Sequence, residues 1–243
     1  MKETAQEKVE ATGNVTVGDL VAKDFRAAAV FEKYGIDFCC GGNVAVDDIC
    51  REKGIDPVKV RREIEESAAA PLDRSQNYNA WELPFLADYI VNTHHSYLKE
   101  NTRVIASYAN KIAQVHGANH PEVIKIAQIF EKVAADMEMH LREEEEVLFP
   151  AIRKMVELAK SGAGREEADV QALRQTLSSL THEHDEIGTA VHAIRDLSNN
   201  YSVPGDVCNT FMVTYLKLRE FEDDLHKHVH LENNILFPKA GKL

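Results

Sequence analysis

The sequence predicts an all-α protein: an up-down-up-down bundle of four long helices over 81–243, preceded by a small helical domain over 14–70. Three observations predict it. From about residue 81, apolar residues recur three and four positions apart, the spacing of one helix face. Three stretches of turn formers, HGANHP (116–121), SGAG (161–164) and SNNYSVPGD (198–206), cut this pattern into four segments, and short links between long helices favour antiparallel neighbours. One eleven-residue phrase is written twice, HLREEEEVLFP from His140 and HVHLENNILFP from His228; each reads His, three residues, Glu, three residues, Leu-Phe-Pro. No convincing run of strands interrupts these patterns.

Bulk properties narrow the function. The 243 residues are 44% hydrophobic and 28% charged, with a net charge of −12. That acidity argues against nucleic acid as the main partner, since phosphate binding needs a basic face. No run of about 18 apolar residues predicts a membrane span. The opening MKETAQEKVE lacks the apolar core of a secretion signal. In an unsecreted chain, Cys39, Cys40, Cys50 and Cys208 read as reduced thiols rather than a disulfide framework. The oligomeric state is left open, a homodimer included.

Taken in order, residues 1–13 read as a polar tail. VGDLVAKDFRAAAVFEKYG carries helical spacing, with Gly35 as its stop. DFCCGG follows as a turn. IDPVKVRREIEES starts another helix, with Asp56 as N-cap and Pro57 at the first helical position. APLDRSQNYN, rich in turn formers, reads as a linker over about 71–80 that leaves the small domain free to move.

The bundle rows place the histidines. In the second helix the inward row is Ile126, Phe130, Val133, Met137, His140, Glu144 and Val147. In the fourth it is Phe211, Tyr215, Leu218, Phe221, Leu225, His228 and Glu232. The third helix offers two histidines: His184 shares a row with Leu173, Leu177, Leu180, Ile187, Val191 and Ile194, whereas His182 lies on a polar face. In the first, His95 aligns with Leu98, Ile105 and Ile112; the row through His94 is weaker but stays open. His95 precedes His140 by 45 residues and His184 precedes His228 by 44, so each half is a hairpin with one lone His and one His-x-x-x-Glu.

Four histidines and two glutamates thus converge on an apolar core. Burying unpaired carboxylates is very costly, and cations offset that cost. If each Glu bridges, each metal receives one lone His, one paired His and two carboxylate oxygens, with room for a bridging oxide or hydroxide and one outside ligand. Imidazole with carboxylate at such coordination numbers favours iron, then manganese, over structural zinc. Glu183 adjoins His184 and could orient a ligand. Glu145 and the rest of REEEE read as a solvated charge run. Cys39-Cys40, in a turn before Gly41-Gly42, reads as a redox dithiol or a transient iron ligand; a disulfide between adjacent residues would be strained. Cys50 and Cys208 read as structural.

The paired HxxxE…LFP phrases, EHDE around His184, HLENN and FEKYGIDFCCGG together resemble the iron–sulfur cluster repair di-iron proteins, which carry a hemerythrin-like domain and a cysteine-containing N-terminal domain. The likeness covers roughly 14–240. It implies a hemerythrin-like bundle with two non-haem iron ions held by His95, His140, Glu144, His184, His228 and Glu232, the two Glu bridging. It also implies repair, in the cytoplasm, of iron–sulfur clusters damaged by nitric oxide or oxidants, with damaged or apo iron–sulfur proteins as partners. Two further functions stand beside iron donation: a sensor binding nitric oxide or oxygen, and a nitric oxide or peroxide reductase fed by Cys39 and Cys40. The sequence does not decide whether the chain is an enzyme.

Overall fold

The computed structural model describes residues 15–68 and 77–243. The expected polar tail and most of the expected linker lie outside the described residues. Every described element is helical, apart from one isolated bridge between Thr16 and Ala45.

The chain forms two compact units. In one, the described residues up to Glu82 join Val229–Lys239; the other comprises Leu83–His228 with Ala240–Leu243. The first unit opens with α1 (Val17–Lys23), whose N-cap Thr16 and Asp19 exchange side chain-to-backbone hydrogen bonds, a capping box that satisfies two orphan donors. The single helix expected over 17–34 is two. Asp24 is extended (φ −151°, ψ 104°) and its carboxylate accepts from the backbone N–H and guanidinium of Arg26, a local bond that competes with the helix ladder. α2 (Ala27–Lys33) then ends before Gly35, whose φ of +61° suits a residue without Cβ. α3 (Val46–Glu52) follows, then α4 (Pro57–Ser67), started by Asp56 accepting from Val58 N–H at 2.9 Å and by Pro57. Phe31, Phe38, Val46, Cys50 and Val60 are buried here.

The second unit holds four rods. The first is α5 (Leu83–Ile90), a π-helical turn (Val91–His95) and α6 (Ser96–His116). The second is α7 (Glu122–Glu143), a π turn (Glu144–Leu148) and α8 (Phe149–Ser161), closed by left-handed Gly162. The third is α9 (Glu167–Leu197), without a π turn. The fourth is α10 (Asn209–Leu231), continued by a π turn (Glu232–Leu236) and α11 (Phe237–Ala240), of which Val229–Lys239 is grouped with the first unit. Side-chain pairs set the directions. Lys99–Glu145 and Asn110–Glu131 make rods one and two antiparallel. His140–Glu183 and Lys154–Asp169 do so for two and three, Arg195–Glu222 and His184–His228 for three and four, and His94–Asp224 and Lys217–Asn101 for one and four. This is the up-down-up-down bundle. Its core stacks Ile105, Ile112, Ile126, Phe130, Leu180, Val191, Phe211 and Phe221. The inward rows hold except at Val147, which is 50% exposed, while Leu148 is fully buried. No described helix is long and apolar enough to cross a membrane.

Candidate metal centre

The repeated phrase folds the same way twice. Each His-x-x-x-Glu ends on a π turn that begins at the Glu, and each Phe-Pro opens the next α segment. The N–H of Phe149 donates to the carbonyl of Glu144, and that of Phe237 to the carbonyl of Glu232, five residues back. Proline explains the wide turn: Pro150 and Pro238 have no N–H, and their rings need room at the preceding carbonyls. Because a π turn advances less per residue than an α turn, Leu148 rotates inward and Val147 outward, which a strict helical row does not foresee. The π turn before Ser96 has no proline. There Ser96 Oγ donates to the Val91 carbonyl at 3.2 Å and Asn92 Nδ2 to that of Asp88 at 2.7 Å, polar side chains inserted into the ladder. π turns are rare and concentrate at functional sites; here three of them carry His95, Glu144 and Glu232.

All six residues are 0 or 1% exposed. The ligand atoms of His95, Glu144, His228 and Glu232 lie within 4.8 Å of one another, and so do those of His140, Glu144, His184 and Glu232. The two groups share both glutamates. Nε2 of His95 stands 3.2 Å from Nε2 of His228, and Nε2 of His140 stands 2.9 Å from Nε2 of His184. Glu144 Oε2 is 3.3 Å from His95 Nε2 and 3.5 Å from His140 Nε2. The doubled histidine separates: His95 enters the group, whereas His94 pairs its Nδ1 with Asp224 Oδ1 at 2.9 Å and stacks on the His228 ring.

Behind the cluster, two carboxylates set tautomers. Glu145 Oε1 is 2.7 Å from His95 Nδ1, and Glu183 Oε2 is 2.9 Å from His140 Nδ1. A neutral imidazole has one N–H, so a carboxylate that takes it at Nδ1 leaves the Nε2 lone pair facing the cluster. The hydrogen bond from His140 holds Glu183 below the usual carboxylate range, against its burial. For Glu145, burial acts upward, but bonds from Lys99 and His95 outweigh it and the net direction is down. The reading of Glu145 as a solvated acid is therefore corrected. A run of four glutamates conceals which one turns inward, and the π turn decides it. Four inward imidazole nitrogens with two buried carboxylates are a donor set that suits a pair of cations.

In the first unit, Asp37 Oδ1 accepts from the backbone N–H of Cys39 (2.9 Å) and Cys40 (3.1 Å) and lies 3.1 Å from Cys39 Sγ. The two sulfurs are 3.8 Å apart, and neither is in a disulfide. Cys39 is buried, Cys40 half-buried. The Cys40 sulfur and burial push the Cys39 thiol up. Asn234 Nδ2 donates to the Phe38 carbonyl at 2.9 Å and to His230 Nδ1 at 3.0 Å. Gly18 and Gly42 leave room for it, since a Cβ on Gly18 would stand 2.3 Å from Asn234 Oδ1. The turn that carries the cysteine pair is thus fastened to the helical segment that carries Glu232.

Comparison with known proteins places this architecture. Residues 86–240 match the Hemerythrin HHE cation binding domain, and residues 13–68 match a Domain of Unknown function (DUF542). The chain is 32% identical over 230 residues to the iron–sulfur cluster repair protein ScdA of Staphylococcus haemolyticus, covering 94% of this chain and 98% of that one. It is 31% identical over 225 residues to the iron–sulfur cluster repair protein YtfE of Musicola paradisiaca, covering 93% and 95%. A probable iron–sulfur cluster repair protein of Haemophilus influenzae is 31% identical over 217 residues, covering 88% and 91%. The chain belongs to the iron–sulfur cluster repair family of hemerythrin-type proteins.

In this family member the remaining cysteines divide. Cys50 is fully buried, consistent with a packing role. Cys208 is exposed, and His116 Nε2 lies 3.1 Å from its sulfur. The His116 imidazole pulls this thiol down to about 7. The structural reading of Cys208 is corrected: it is a surface thiol with an activating partner.

Proposed function

We propose that the chain holds two iron ions in its bundle and restores iron–sulfur clusters damaged by nitric oxide or oxidants by donating iron. The observation that carries this reading is the sharing of Glu144 and Glu232 by two histidine pairs. His95 and His228 would hold one ion and His140 and His184 the other, with both carboxylates bridging. When bound, the ions supply exchangeable iron and a position for a diatomic ligand such as nitric oxide or oxygen. The chain's own residues do the rest. Glu145 and Glu183 keep the Nδ1 protons of His95 and His140 in place, which aims Nε2 inward. The surrounding apolar core keeps water away from the carboxylates. Cys40, the more accessible of the pair, offers its sulfur to iron in transit, and the buried Cys39, held protonated by its surroundings, would give up its proton on binding the ion. The relatives' names support a role in iron–sulfur cluster repair; the partners would be damaged or apo iron–sulfur proteins, met in the cytoplasm.

The test mixes iron-loaded protein with a nitric oxide-damaged iron–sulfur enzyme and follows iron content and recovered activity together. Iron lost by this chain should match iron gained by the enzyme. Recovery without iron loss would sink the donor role. It would favour a second reading, reduction of nitric oxide or peroxide with electrons released as the Cys39 and Cys40 thiols, 3.8 Å apart, close to a disulfide.

A further inference from the structure

Away from the six-residue cluster, the third and fourth rods bring a second set of donors together. The ligand atoms of His192, Glu222 and His226 lie within 4.8 Å of one another. The side chains of Glu222 and His226 are 4% and 12% exposed. They are four residues apart on α10, so they share one face, and His192 meets them from α9, its ring 5.8 Å from that of His226. We propose that these three residues form a separate, mononuclear site for a divalent first-row metal ion.

Geometry supports a cation here more than a hydrogen-bonded corner. His226 Nε2 stands 3.8 Å from Glu222 Oε1, too far for a hydrogen bond. Donors bound to one metal at about 2.0–2.2 Å stand roughly 3–3.5 Å apart, so small side-chain adjustments close the site. Glu222 also has capacity left. A carboxylate has about four acceptor positions. Arg195 Nε donates to Oε2 at 3.0 Å and the Tyr201 hydroxyl donates to Oε2 at 2.9 Å, while Arg195 Nη2 makes an ion-pair contact of 2.6 Å with Oε1, which accepts no hydrogen bond among the described residues. The remaining capacity lies on Oε1, the oxygen nearest His226. Arg195 and Tyr201 therefore pin the carboxylate without filling it. Two histidines and one carboxylate are the donor set of mononuclear ferrous sites with open positions. Arg195 also sets a limit, because its charge opposes the cation and keeps the site weaker than the main cluster. Weak binding suits an ion that must leave again. That role rests on the iron-donor reading, but the site itself does not.

The test uses full-length protein loaded with iron and freed of excess. Co²⁺ is then titrated in, followed by its visible absorption, with Zn²⁺ titration calorimetry in parallel. One further metal should bind per chain. His192→Gln, a change at a half-buried position, should weaken that binding by at least the roughly 10–100-fold that a lost supporting partner costs, while iron content and helicity stay at wild-type values. Arg195→Gln should tighten it, an outcome that a purely structural role for these residues does not produce. Absence of additional binding by wild-type protein, or binding unchanged in both variants, would overturn the proposal. Because iron retention is read separately, failure here is distinguishable from failure of the repair reading.

Discussion

Glu145 and Glu183 do the same work on the two sides of the cluster, each accepting the Nδ1 proton of one histidine. Glu145→Gln and Glu183→Gln should each weaken metal retention by roughly 10–100-fold. Glu146→Gln, at an exposed neighbour, should leave it unchanged. Retention under a competing chelator checks this, and equal retention in all three variants would remove the supporting role. Cys208 gives a second expectation at this scale. Only the thiolate reacts with iodoacetamide, and the Cys208 thiol sits at about 7 beside His116. Its labelling rate should therefore rise with pH to a midpoint near 7. His116→Ala should move that midpoint upward toward an ordinary thiol, as peptide mapping across pH would show. Neither residue was legible in the sequence. Glu145 stands in a run of like charges, and the His116–Cys208 pair joins residues far apart in the chain. The six cluster residues were legible because polar side chains recur inside otherwise apolar rows, and because the phrase repeats.

At the scale of elements, the π turns are what helical periodicity could not reveal. Leu-Phe-Pro marks two of them, and the missing proline N–H is their physical cause. Deleting Glu146 removes one residue from the turn and lets it close as α. The helix beyond it should keep its core-facing phase, so helicity should stay near wild type, while the Pro150 ring then crowds the carbonyl four residues back and lowers stability by roughly 3 kcal/mol. Glu145 should swing away from His95 and metal retention should fall about tenfold. Circular dichroism with a metal assay separates the two effects; a deletion variant with full retention would show the π turn to be incidental. The break at Asp24 was hidden for a similar reason: the apolar spacing runs through it, and only a local carboxylate bond interrupts the ladder. The caps at Asp56–Pro57 and Gly35 were legible, because each rests on chemistry local to a few residues.

At the scale of the whole chain, the sequence reading treats the small domain as tethered by a linker and free to move. The structure groups its described residues with Val229–Lys239 in one compact unit. Asn234 is central there, with bonds to the Phe38 carbonyl and to His230. Asn234→Ala should lower stability by roughly 1–3 kcal/mol, the cost of leaving buried groups unsatisfied, and should speed alkylation of Cys40. Denaturation midpoints and labelling rates test this; an unchanged Cys40 rate would mean that the turn is held by other contacts. This join could not be read in advance, since it depends on one asparagine side chain meeting a carbonyl nearly two hundred residues away. The four-rod bundle could be read because it follows from row spacing and turn formers alone.

The most direct test of the central claim is the iron content of anaerobically reconstituted full-length protein, measured beside Glu144→Ala. The shared carboxylates predict two tightly held irons per chain in the wild type. They also predict that losing Glu144, which belongs to both groups, weakens both positions together. A single tightly held iron at saturation, or two irons retained by Glu144→Ala, would contradict a carboxylate-bridged pair.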